Sequence, residues 1–207
     1  MTLIVHAVRD VLLVPRCAGC GEPGAWFCVA CRDLCEPVAL PGGLPVRGAG
    51  AHAGPLRAAI HRFKYGGERG LADDLGSLLA LEVARDLAQG VAIDAVVPVP
   101  LHRSRAASRG YDQATLLASA VASRTGLPLR VPLRRVRYGR PQVELDRAAR
   151  AANVRGAFIG EAASLRRLAV ALVDDVATTG ATIADAAAAA RAAGARSVRA
   201  YVVAVDE

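Results

Sequence analysis

Apolar residues recur at helical spacing in three stretches of the chain. Residues 56–63 and 71–87 carry them three and four positions apart, which is the period of an amphipathic helix. The Tyr-Gly-Gly sequence at 65–67 stands between these stretches and predicts a turn. The spacing over 111–124 predicts a third helix, which ends before Gly126.

Short continuous apolar runs alternate with predicted helices. Residues 93–99 and 168–173 are mostly apolar, and a further run at 197–205 follows an alanine-rich helix predicted over 182–193. Continuous runs of this length suit strands that are buried on both faces. The alternation predicts an α/β fold in which helices cover both faces of a parallel sheet. Sheets of this kind bind ligands at the carboxyl ends of their strands.

The first quarter of the chain differs in composition from the rest. All five cysteines lie between Cys17 and Cys35, and residues 37–54 are rich in proline, glycine and alanine. Clusters of these small and turn-forming residues are typical of linkers. We therefore predict a cysteine-rich module with a linker over residues 1–48, followed by the α/β domain over residues 49–207.

Composition and charge indicate that the chain is folded and which kinds of partner it favours. With 207 residues, of which 53% are hydrophobic, the chain can bury a substantial core, and disorder is not expected. The formal net charge of +7 favours polyanionic partners, such as phosphorylated metabolites, nucleic acid or acidic protein surfaces. Lys64 is the only lysine, so arginine carries nearly all the positive charge and a single arginine is a weak signal of function.

The hydrophobic pattern also indicates whether any segment is suited to span a membrane. Residues 1–14 are apolar in parts, but they lack a basic leading region and contain charged side chains. Elsewhere the apolar runs are much shorter than the roughly 20 residues that span a bilayer. We therefore expect a soluble, cytoplasmic protein without membrane insertion; its oligomeric state is not predicted.

Four of the cysteines form two Cys-x-x-Cys pairs. Each pair places two thiolates on one tight turn, so the two pairs together can occupy the four corners of a zinc tetrahedron. A segment this short cannot bury a core of its own, and metal binding would supply much of its folding free energy. Disulfide bonds and a redox-active pair are the alternatives. The predicted structural Zn²⁺ ligands are Cys17, Cys20, Cys28 and Cys31.

Three other residues of the module have less specific roles. Cys35 is either a spare thiol or a ligand that replaces one of the four. Trp26 and Phe27 are expected to pack the module against the main domain, because aromatic side chains bury large apolar areas.

The strongest chemical signal is the segment 172–182, Leu-Val-Asp-Asp-Val-Ala-Thr-Thr-Gly-Ala-Thr. Free backbone N–H groups at the start of a helix, together with threonine hydroxyls, suit a phosphate group. Asp174 and Asp175, the candidate catalytic residues, stand at the end of the preceding strand and can accept hydrogen bonds from vicinal sugar hydroxyls. This combination describes a site for ribose 5-phosphate. The predicted phosphate- and ribose-binding residues are Ala177, Thr178, Thr179, Gly180, Ala181 and Thr182.

Neither the acidic pair nor the threonine-glycine turn is a specific sign of a phosphate site by itself. Adjacent acids are usually a solvated turn, and a threonine-glycine turn before a helix is usually only a cap. Together, after a fully apolar strand, they resemble the phosphoribosyl-pyrophosphate loop of type I phosphoribosyltransferases. The chain contains neither GxxxxGK[ST] nor GxGxxG, so P-loop and Rossmann sites are not supported.

Further motifs resemble those of the ComF family. They lie at 97–103 (Val-Pro-Val-Pro-Leu-His-Arg), 109–113 (Arg-Gly-Tyr-Asp-Gln) and 63–66 (Phe-Lys-Tyr-Gly), in addition to the two Cys-x-x-Cys pairs. A later motif of the family is matched by Gln142, Leu145, Arg150, Asn153 and Phe158. Asp112 stands where the family usually has asparagine, and Ala149 where it usually has glutamate. We expect Asp112 to cap the helix that begins there.

The resemblance implies a type I phosphoribosyltransferase fold in which the loop after the first core strand holds pyrophosphate. Guanidinium groups are forked donors suited to phosphate oxygens, and Arg109 is a further candidate of this kind. A mobile hood over 138–158 is also implied, with Arg140, Arg150 and Asn153 facing the ligand or nucleic acid. The residues that take the pyrophosphate-binding role by position are Leu101, His102, Arg103 and Arg105.

Two functions remain open. In the first, an enzyme binds phosphoribosyl pyrophosphate with Mg²⁺, pyrophosphate departs, and a nitrogen nucleophile of unknown identity captures the ribosyl C1. In the second, which the ComF resemblance implies, the protein serves DNA uptake or repair by binding single-stranded DNA or a helicase partner. A ligand sensor that controls partner binding is a third alternative. A basic run could follow a DNA backbone, or it could be a solvated loop. It contains Arg130, Arg134, Arg135, Arg137 and Arg140, with Tyr138 among them.

Overall fold

The fold is built on a five-stranded sheet with helices on either side. A computed structural model describes residues 14–101, 110–136 and 156–206 of the chain. The strands in these ranges are β1 Val38–Leu40, β2 Val46–Ala51, β3 Ala95–Pro98, β4 Leu133–Arg135, β5 Phe158–Gly160, β6 Ala169–Ala177 and β7 Ser197–Val205. The helices are α1 Val29–Asp33, α2 Gly54–Tyr65, α3 Leu71–Ala88, α4 Gln113–Thr125 and α5 Ala181–Ala192.

The main sheet has the strand order β1-β2-β7-β6-β3. The pairs β2–β7, β7–β6 and β6–β3 are parallel, while β1 joins the edge in the antiparallel direction. Leu172 of β6 lies in register with Val97 of β3 and with Ala200 of β7. Strands β4 and β5 form a separate antiparallel ribbon. The predicted parallel sheet is confirmed, and the antiparallel edge strand adds to it.

Two hydrophobic clusters cover the two faces of the sheet. Ala171 and Val173 of β6 belong to the cluster that includes α2, α3, α4 and the cysteine-rich segment. Val170 and Leu172 belong to the cluster on the other face, with α5 and the β4–β5 ribbon. Since alternate side chains of a strand point to opposite faces, a strand packed on both must be apolar at every position. This packing explains the continuous apolar runs.

The predicted linker over 37–54 is wrong, because that segment contains β1 and β2. Strand β2 pairs in parallel with β7, and the predicted division between residues 48 and 49 falls inside it. A Cβ atom added at Gly48 would lie 2.7 Å from a methyl group of Val205. The small residues that resemble a linker in composition allow this close approach instead.

A buried polar cluster ties α3 to the middle of the sheet. Asp86 of α3 is fully buried and accepts a hydrogen bond of 2.7 Å from the hydroxyl of Tyr201 on β7. Its carboxylate oxygens also lie 2.8 Å from Arg47 of β2 and 3.3 Å from Arg199 of β7. Burial and the neighbouring carboxylate raise the pKa of Tyr201. Two cations and a hydroxyl thus compensate the burial of one carboxylate.

Among the described helices, none combines the length and the apolar character that crossing a bilayer requires.

Candidate functional site

The candidate site lies at the carboxyl ends of the parallel neighbours β3 and β6. Pro98 pairs with Val173, and the Val99 N–H donates a 2.9 Å hydrogen bond to the Val173 carbonyl. Strand β6 continues beyond the predicted end at residue 173 and reaches Ala177. The acidic pair is therefore held within a paired strand rather than in a loop, and Asp174 is in register with Val202 of β7.

The two acidic side chains have different surroundings. Asp175 is buried, and its Oδ1 lies 2.9 Å from Nζ of Lys64. Asp174 is partly exposed, and its carboxylate accepts a 2.8 Å hydrogen bond from the Asp175 backbone N–H. Desolvation by the surrounding protein, and then the charge of Asp175, raise the pKa of Asp174 to about 8. One carboxyl group is therefore ion-paired, and the pKa of its neighbour is raised.

Lys64 is a site residue that the sequence argument did not predict. It was named from the sequence only in the Phe-Lys-Tyr-Gly motif and as the single lysine among 26 lysines and arginines, and was given no role in the site. The signal in the sequence that could have singled out Lys64 was the presence of one lysine in a chain that otherwise uses arginine. Nothing in the sequence joined it to Asp175, because the contact is made by the end of α2 reaching the end of β6.

The turn after β6 leads directly into α5. Thr178 is exposed and Thr179 partly so, and the Thr179 hydroxyl accepts a 3.4 Å hydrogen bond from the Ala181 N–H. Gly180 caps the helix with a φ of 72°, and a Cβ atom there would also lie 2.9 Å from Leu40. The positive φ and the close contact with Leu40 therefore favour glycine at this position. The first turn of α5 contains no acidic residue, and the positive end of the helix dipole is left for an anion.

The predicted phosphate-binding residues lie next to one another, but they differ in exposure to solvent. Ala181 and Thr182 are partly exposed in the first turn of α5. Ala177 is buried, and its carbonyl accepts a 2.8 Å hydrogen bond from the Asp206 N–H. A cavity of about 250 Å³ lies beside the turn, between Thr179 and the β1–β2 connection at 40–44. The exposed side of the turn is thus open to a ligand.

The β3 side of the site begins at Leu101. Its N–H donates a 3.1 Å hydrogen bond to Oδ2 of Asp112, whose Oδ1 accepts a 3.2 Å hydrogen bond from Thr115 N–H. The predicted capping role of Asp112 is confirmed, and the same carboxylate also holds the start of the loop after β3. The remaining predicted pyrophosphate and arginine contacts lie outside the described residues, namely His102, Arg103, Arg105 and Arg109.

Most of the predicted hood also lies outside the described residues. The exceptions are residues 156–158, whose three N–H groups donate to the Asp185 carboxylate of α5 at 2.7 Å, 2.8 Å and 3.2 Å. Asp185 therefore fixes the end of this segment beside the helix that follows the turn at 178–180. The hood residues that are not described are Arg140, Gln142, Leu145, Ala149, Arg150 and Asn153.

The end of α2 also contacts the segment at 110–112. The Tyr111 hydroxyl donates a hydrogen bond to the Phe63 carbonyl, and the two rings have centroids 5.7 Å apart. The Arg69 guanidinium lies 4.9 Å from the centre of the Tyr111 ring and donates a 2.7 Å hydrogen bond to the Gly110 carbonyl. Two motifs of the sequence are thereby in contact in the structure.

The four cysteines of the two Cys-x-x-Cys pairs form one cluster. Their sulfur atoms all lie within 4.8 Å of one another. A zinc tetrahedron with Zn–S bonds of about 2.3 Å has sulfur atoms about 3.8 Å apart, so the cluster can hold a metal ion after a small adjustment. Cys17 Sγ accepts hydrogen bonds from the N–H groups of Gly19 and Cys28, at 3.4 Å and 3.3 Å. Burial opposes ionisation, but such backbone donors, Cys28 foremost, lower the pKa of Cys17 to about 6.

The fifth cysteine stands outside this cluster. Cys35 Sγ donates a 3.5 Å hydrogen bond to the Cys31 carbonyl, and burial raises the pKa of the Cys35 thiol. Of the two roles considered for Cys35, the structure supports the spare thiol.

The cysteine module packs on the main domain through its aromatic residues, as predicted. Phe27 is fully buried, and its N–H donates a 2.8 Å hydrogen bond to the Asp74 carboxylate of α3. Trp26 packs against the same cluster and lies so close to Gly70 that a Cβ atom there would be 2.2 Å from Nε1. Cys17 accepts a further hydrogen bond of 3.3 Å at its carbonyl from Arg62 of α2.

The predicted basic run is described only in part. Arg130 and Arg134 are exposed, the latter on β4, whereas the Arg135 guanidinium lies 5.2 Å from the centre of the Phe158 ring. Arg135 is therefore partly used in packing the ribbon. The other members lie outside the described residues, namely Arg137, Tyr138 and Arg140.

Known proteins share much of this sequence. Competence protein F of Haemophilus influenzae is 30% identical over 182 residues, which cover 84% of this chain and 78% of that protein. DNA utilization protein YhgH of Salmonella typhimurium is 32% identical over 190 residues, which cover 90% of this chain and 81% of that protein. DNA utilization protein YhgH of Escherichia coli K12 is 32% identical over 175 residues, which cover 83% and 75% of the two chains.

A solved structure is similar over part of its length. Glutamine phosphoribosylpyrophosphate amidotransferase from B. subtilis, complexed with ADP and GMP, matches 70% of this chain with a TM-score of 0.48 and 24% identity. The chain spans only 30% of that enzyme's length. No protein-family model matches the chain. The sequence relatives establish the family, because they are at least 30% identical over more than two thirds of their own length. The chain therefore belongs to the ComF family.

Proposed function

We propose that the protein binds phosphoribosyl pyrophosphate, or a related phosphorylated ribose, with Mg²⁺ at the carboxyl ends of β3 and β6. One observation carries the proposal. Asp174 and the turn at 178–180 lie at the end of a single strand, immediately before the amino end of α5. A carboxyl group can accept hydrogen bonds from the ribose hydroxyls, and the turn with the amino end of a helix can bind the phosphate. The two groups stand next to each other in the chain, as the two ends of a ribose 5-phosphate require.

In this proposal, the chain makes the contacts to the phosphate through its backbone and hydroxyl groups. The N–H groups of the first turn of α5 would donate to the phosphate, because they have no partner within the helix. The hydroxyls of Thr178, Thr179 and Thr182 would add donors, and the Asp174 carboxyl would contact the ribose hydroxyls. These groups bind and orient the ligand.

Mg²⁺ would bind together with the ligand beside the acidic pair, and it would neutralise the charge on pyrophosphate. Leu101 and the residues that follow it are the proposed neighbours of that group. If the protein turns over its ligand, the reaction is a phosphoribosyl transfer whose acceptor remains to be identified.

We further propose that Cys17, Cys20, Cys28 and Cys31 hold a structural Zn²⁺ ion. The clustered sulfur atoms and the backbone donors to Cys17 support this choice, because thiolates are the ligands of structural zinc. Thiolates persist in a reducing compartment, so the proposed location is the cytoplasm.

The test of the main proposal is a calorimetric titration of Mg²⁺ and phosphoribosyl pyrophosphate into the zinc-loaded protein. We expect the wild type to bind, and Asp174→Asn, Asp175→Asn to lose at least about tenfold in affinity, because the hydroxyl acceptors are weakened. A control variant with Asp33→Asn and Glu36→Gln removes two exposed acids of the cysteine-rich segment and should bind as the wild type does. No binding by a folded wild type would contradict the proposal.

A second candidate function is binding of single-stranded DNA or of a DNA-processing partner such as a helicase. The names of the relatives, a competence protein and a DNA utilization protein, favour it. Arg130 and Arg134 are exposed on the β4–β5 side, with the apolar Val131 and Ile159 exposed near them. Exposed guanidinium groups can contact the phosphates of a nucleic acid strand.

For this candidate, we expect Arg134→Gln to weaken binding of a labelled single-stranded oligonucleotide, measured by fluorescence anisotropy at several salt concentrations. The salt slope should fall by about 0.7 if one phosphate contact is lost. Arg57→Gln, at an exposed position on α2, should leave the slope unchanged. Affinity that disappears in the Asp174→Asn, Asp175→Asn variant instead would place the DNA in the phosphoribosyl site and contradict a separate DNA surface.

A further inference from the structure

A cation lies against the acidic pair of the candidate site. Lys64 is in the last turn of α2, and its Nζ is 2.9 Å from Oδ1 of Asp175. Both side chains are mostly buried, with 18% of the lysine and 11% of the aspartate exposed. Salt screens a buried pair much less than a surface pair, and removing one member leaves an uncompensated charge. The ion pair therefore fixes where the Asp175 carboxylate lies.

The choice of lysine at this position is itself informative. The chain has 26 lysines and arginines, and Lys64 is the only lysine. Because the chain otherwise uses arginine as its long cationic residue, we infer that lysine at position 64 has a local structural cause. Ammonium is a compact point charge whose donors rotate, whereas guanidinium is a planar fork, so the two cations would contact Asp175 with different geometry.

The end of α2 is also linked to the other half of the site. Tyr111 donates a hydrogen bond to the carbonyl of Phe63, the residue that precedes the lysine. Asp112 follows Tyr111 and accepts a hydrogen bond from Leu101 N–H. A continuous series of contacts thus joins Asp175 on β6 to the start of the loop after β3. The end of α2 therefore contacts both sides of the site.

We propose that Lys64 is a positioning residue of the candidate site. It holds the Asp175 carboxylate against α2, so that Asp174, the more exposed of the two acids, is the one presented to the ribose hydroxyls. The role in ligand binding rests on the proposed function, whereas the effect of Lys64 on the acidic pair does not. Three charged groups act on Asp174 in this arrangement, namely Lys64, Asp112 and Asp175.

The first test measures ligand binding in a double-mutant cycle. Ribose 5-phosphate and phosphoribosyl pyrophosphate with Mg²⁺ are titrated calorimetrically into Lys64→Met, Asp175→Asn and the combined variant. We expect Lys64→Met to lose about 10-fold to 100-fold in affinity, as is typical when a partner that orients a binding group is removed. Because the lysine acts through Asp175, the combined variant should be no weaker than Asp175→Asn alone. Losses that simply add would overturn the proposal.

Two further variants separate positioning from a general effect on folding. Lys64→Arg keeps the charge and should retain more affinity than Lys64→Met. Arg57→Met removes an equal charge from an exposed position on the same helix and should bind as the wild type does. Equal losses in Lys64→Arg and Lys64→Met, with unchanged melting temperatures, would contradict a role for the charge.

A second readout needs no ligand. The carboxyl groups of aspartate are followed by carbon-13 NMR during a pH titration of the wild type and of each Lys64 variant. The charge of Lys64 lowers the pKa of Asp174, so Lys64→Met should raise that pKa further above its value of about 8. If Lys64→Met does not fold, Lys64→Arg takes its place and should show a smaller change in the same titration.

The two readouts distinguish the two possible failures. A wild type that binds neither ligand contradicts the proposed function, but a shifted Asp174 pKa would still support the influence of Lys64 on the acidic pair. An unshifted pKa in folded Lys64→Met would overturn the present inference even if the wild type binds its ligand.

Discussion

Two adjacent carboxyl groups at the end of β6 differ in their electrostatic surroundings. Asp175 is paired with Lys64 and buried, while Asp174 has the charge of Asp175 beside it. Desolvation by the surrounding protein is the larger cause of the raised pKa of Asp174, and repulsion by the charge of Asp175 adds to it. The pKa of Asp174 is consequently raised to about 8. In the folded protein, Asp174 is therefore protonated over a range where it is ionised in the unfolded chain.

This difference predicts a pH dependence of stability that Asp174→Asn abolishes. The raised pKa means that the folded state binds more protons than the unfolded state between about pH 4 and pH 8. The stabilisation is present at low pH and is lost as the pH rises through about 8. Relative to Asp174→Asn, the wild type should lose about 1–3 kcal/mol of unfolding free energy between pH 5 and pH 9, a value reduced for solvent contact.

Urea unfolding of both proteins at several pH values measures this difference. Asp33→Asn, an exposed aspartate outside the site, is the control and should follow the wild type. Parallel curves for the wild type and Asp174→Asn would show that Asp174 titrates normally.

Single residues show what the sequence could predict at this scale. Asp112 could be assigned as a cap, because capping involves residues three positions apart and is local in the chain. Lys64 could not be assigned to Asp175, because that contact depends on how α2 crosses the end of β6. Local chemistry was predictable, whereas contacts made by tertiary packing were not.

At the scale of elements, the cysteine-rich segment is part of the core rather than an appendage. Cys17, Cys31 and Phe27 belong to the same buried cluster as α2 and α3. Asp74 of α3 accepts the Phe27 N–H, and Arg62 of α2 donates to the Cys17 carbonyl. A change in the cysteine cluster should therefore reach the helices that lie next to the candidate site.

Loss of the proposed zinc site is predicted to destabilise the whole domain. Cys28→Ser should release the metal and lower the unfolding free energy by more than about 4 kcal/mol, because metal binding contributes directly to folding. Elemental analysis of the purified protein measures the bound metal, and thermal unfolding measures the stability. The same loss should follow from a strong chelator.

Cys35→Ser is the matched control for this prediction. Its sulfur lies outside the cluster of four, so the variant should keep its metal and most of its stability. Full metal content in Cys28→Ser would contradict the assignment of that residue as a ligand.

The elements were predictable to different degrees. The periodic segments that became α2, α3 and α4 were predicted within a few residues, since helical spacing reflects one buried face. Strands β1 and β2 were missed. Their small residues look like a linker, although Gly48 is small because Val205 of the neighbouring strand lies against it. Composition cannot distinguish flexibility from close packing.

At the scale of the molecule, the candidate site depends on strands that are remote in the chain. Neighbouring ends of β3 and β6 bring Leu101 and Asp174 to one edge of the sheet, and the contacts of α2 tie the two sides together. The sequence predicted that the two loops meet, since carboxyl ends of parallel strands lie at one edge. It did not predict the connection through α2.

The position of β7 has a consequence for how the protein is made. This strand follows every other described strand in chain order, yet it lies between β2 and β6. While a ribosome is still synthesising it, both of those strands have an open edge where its hydrogen bonds will form. Open edges readily pair with other chains. The nascent protein is therefore exposed to aggregation until β7 has been inserted.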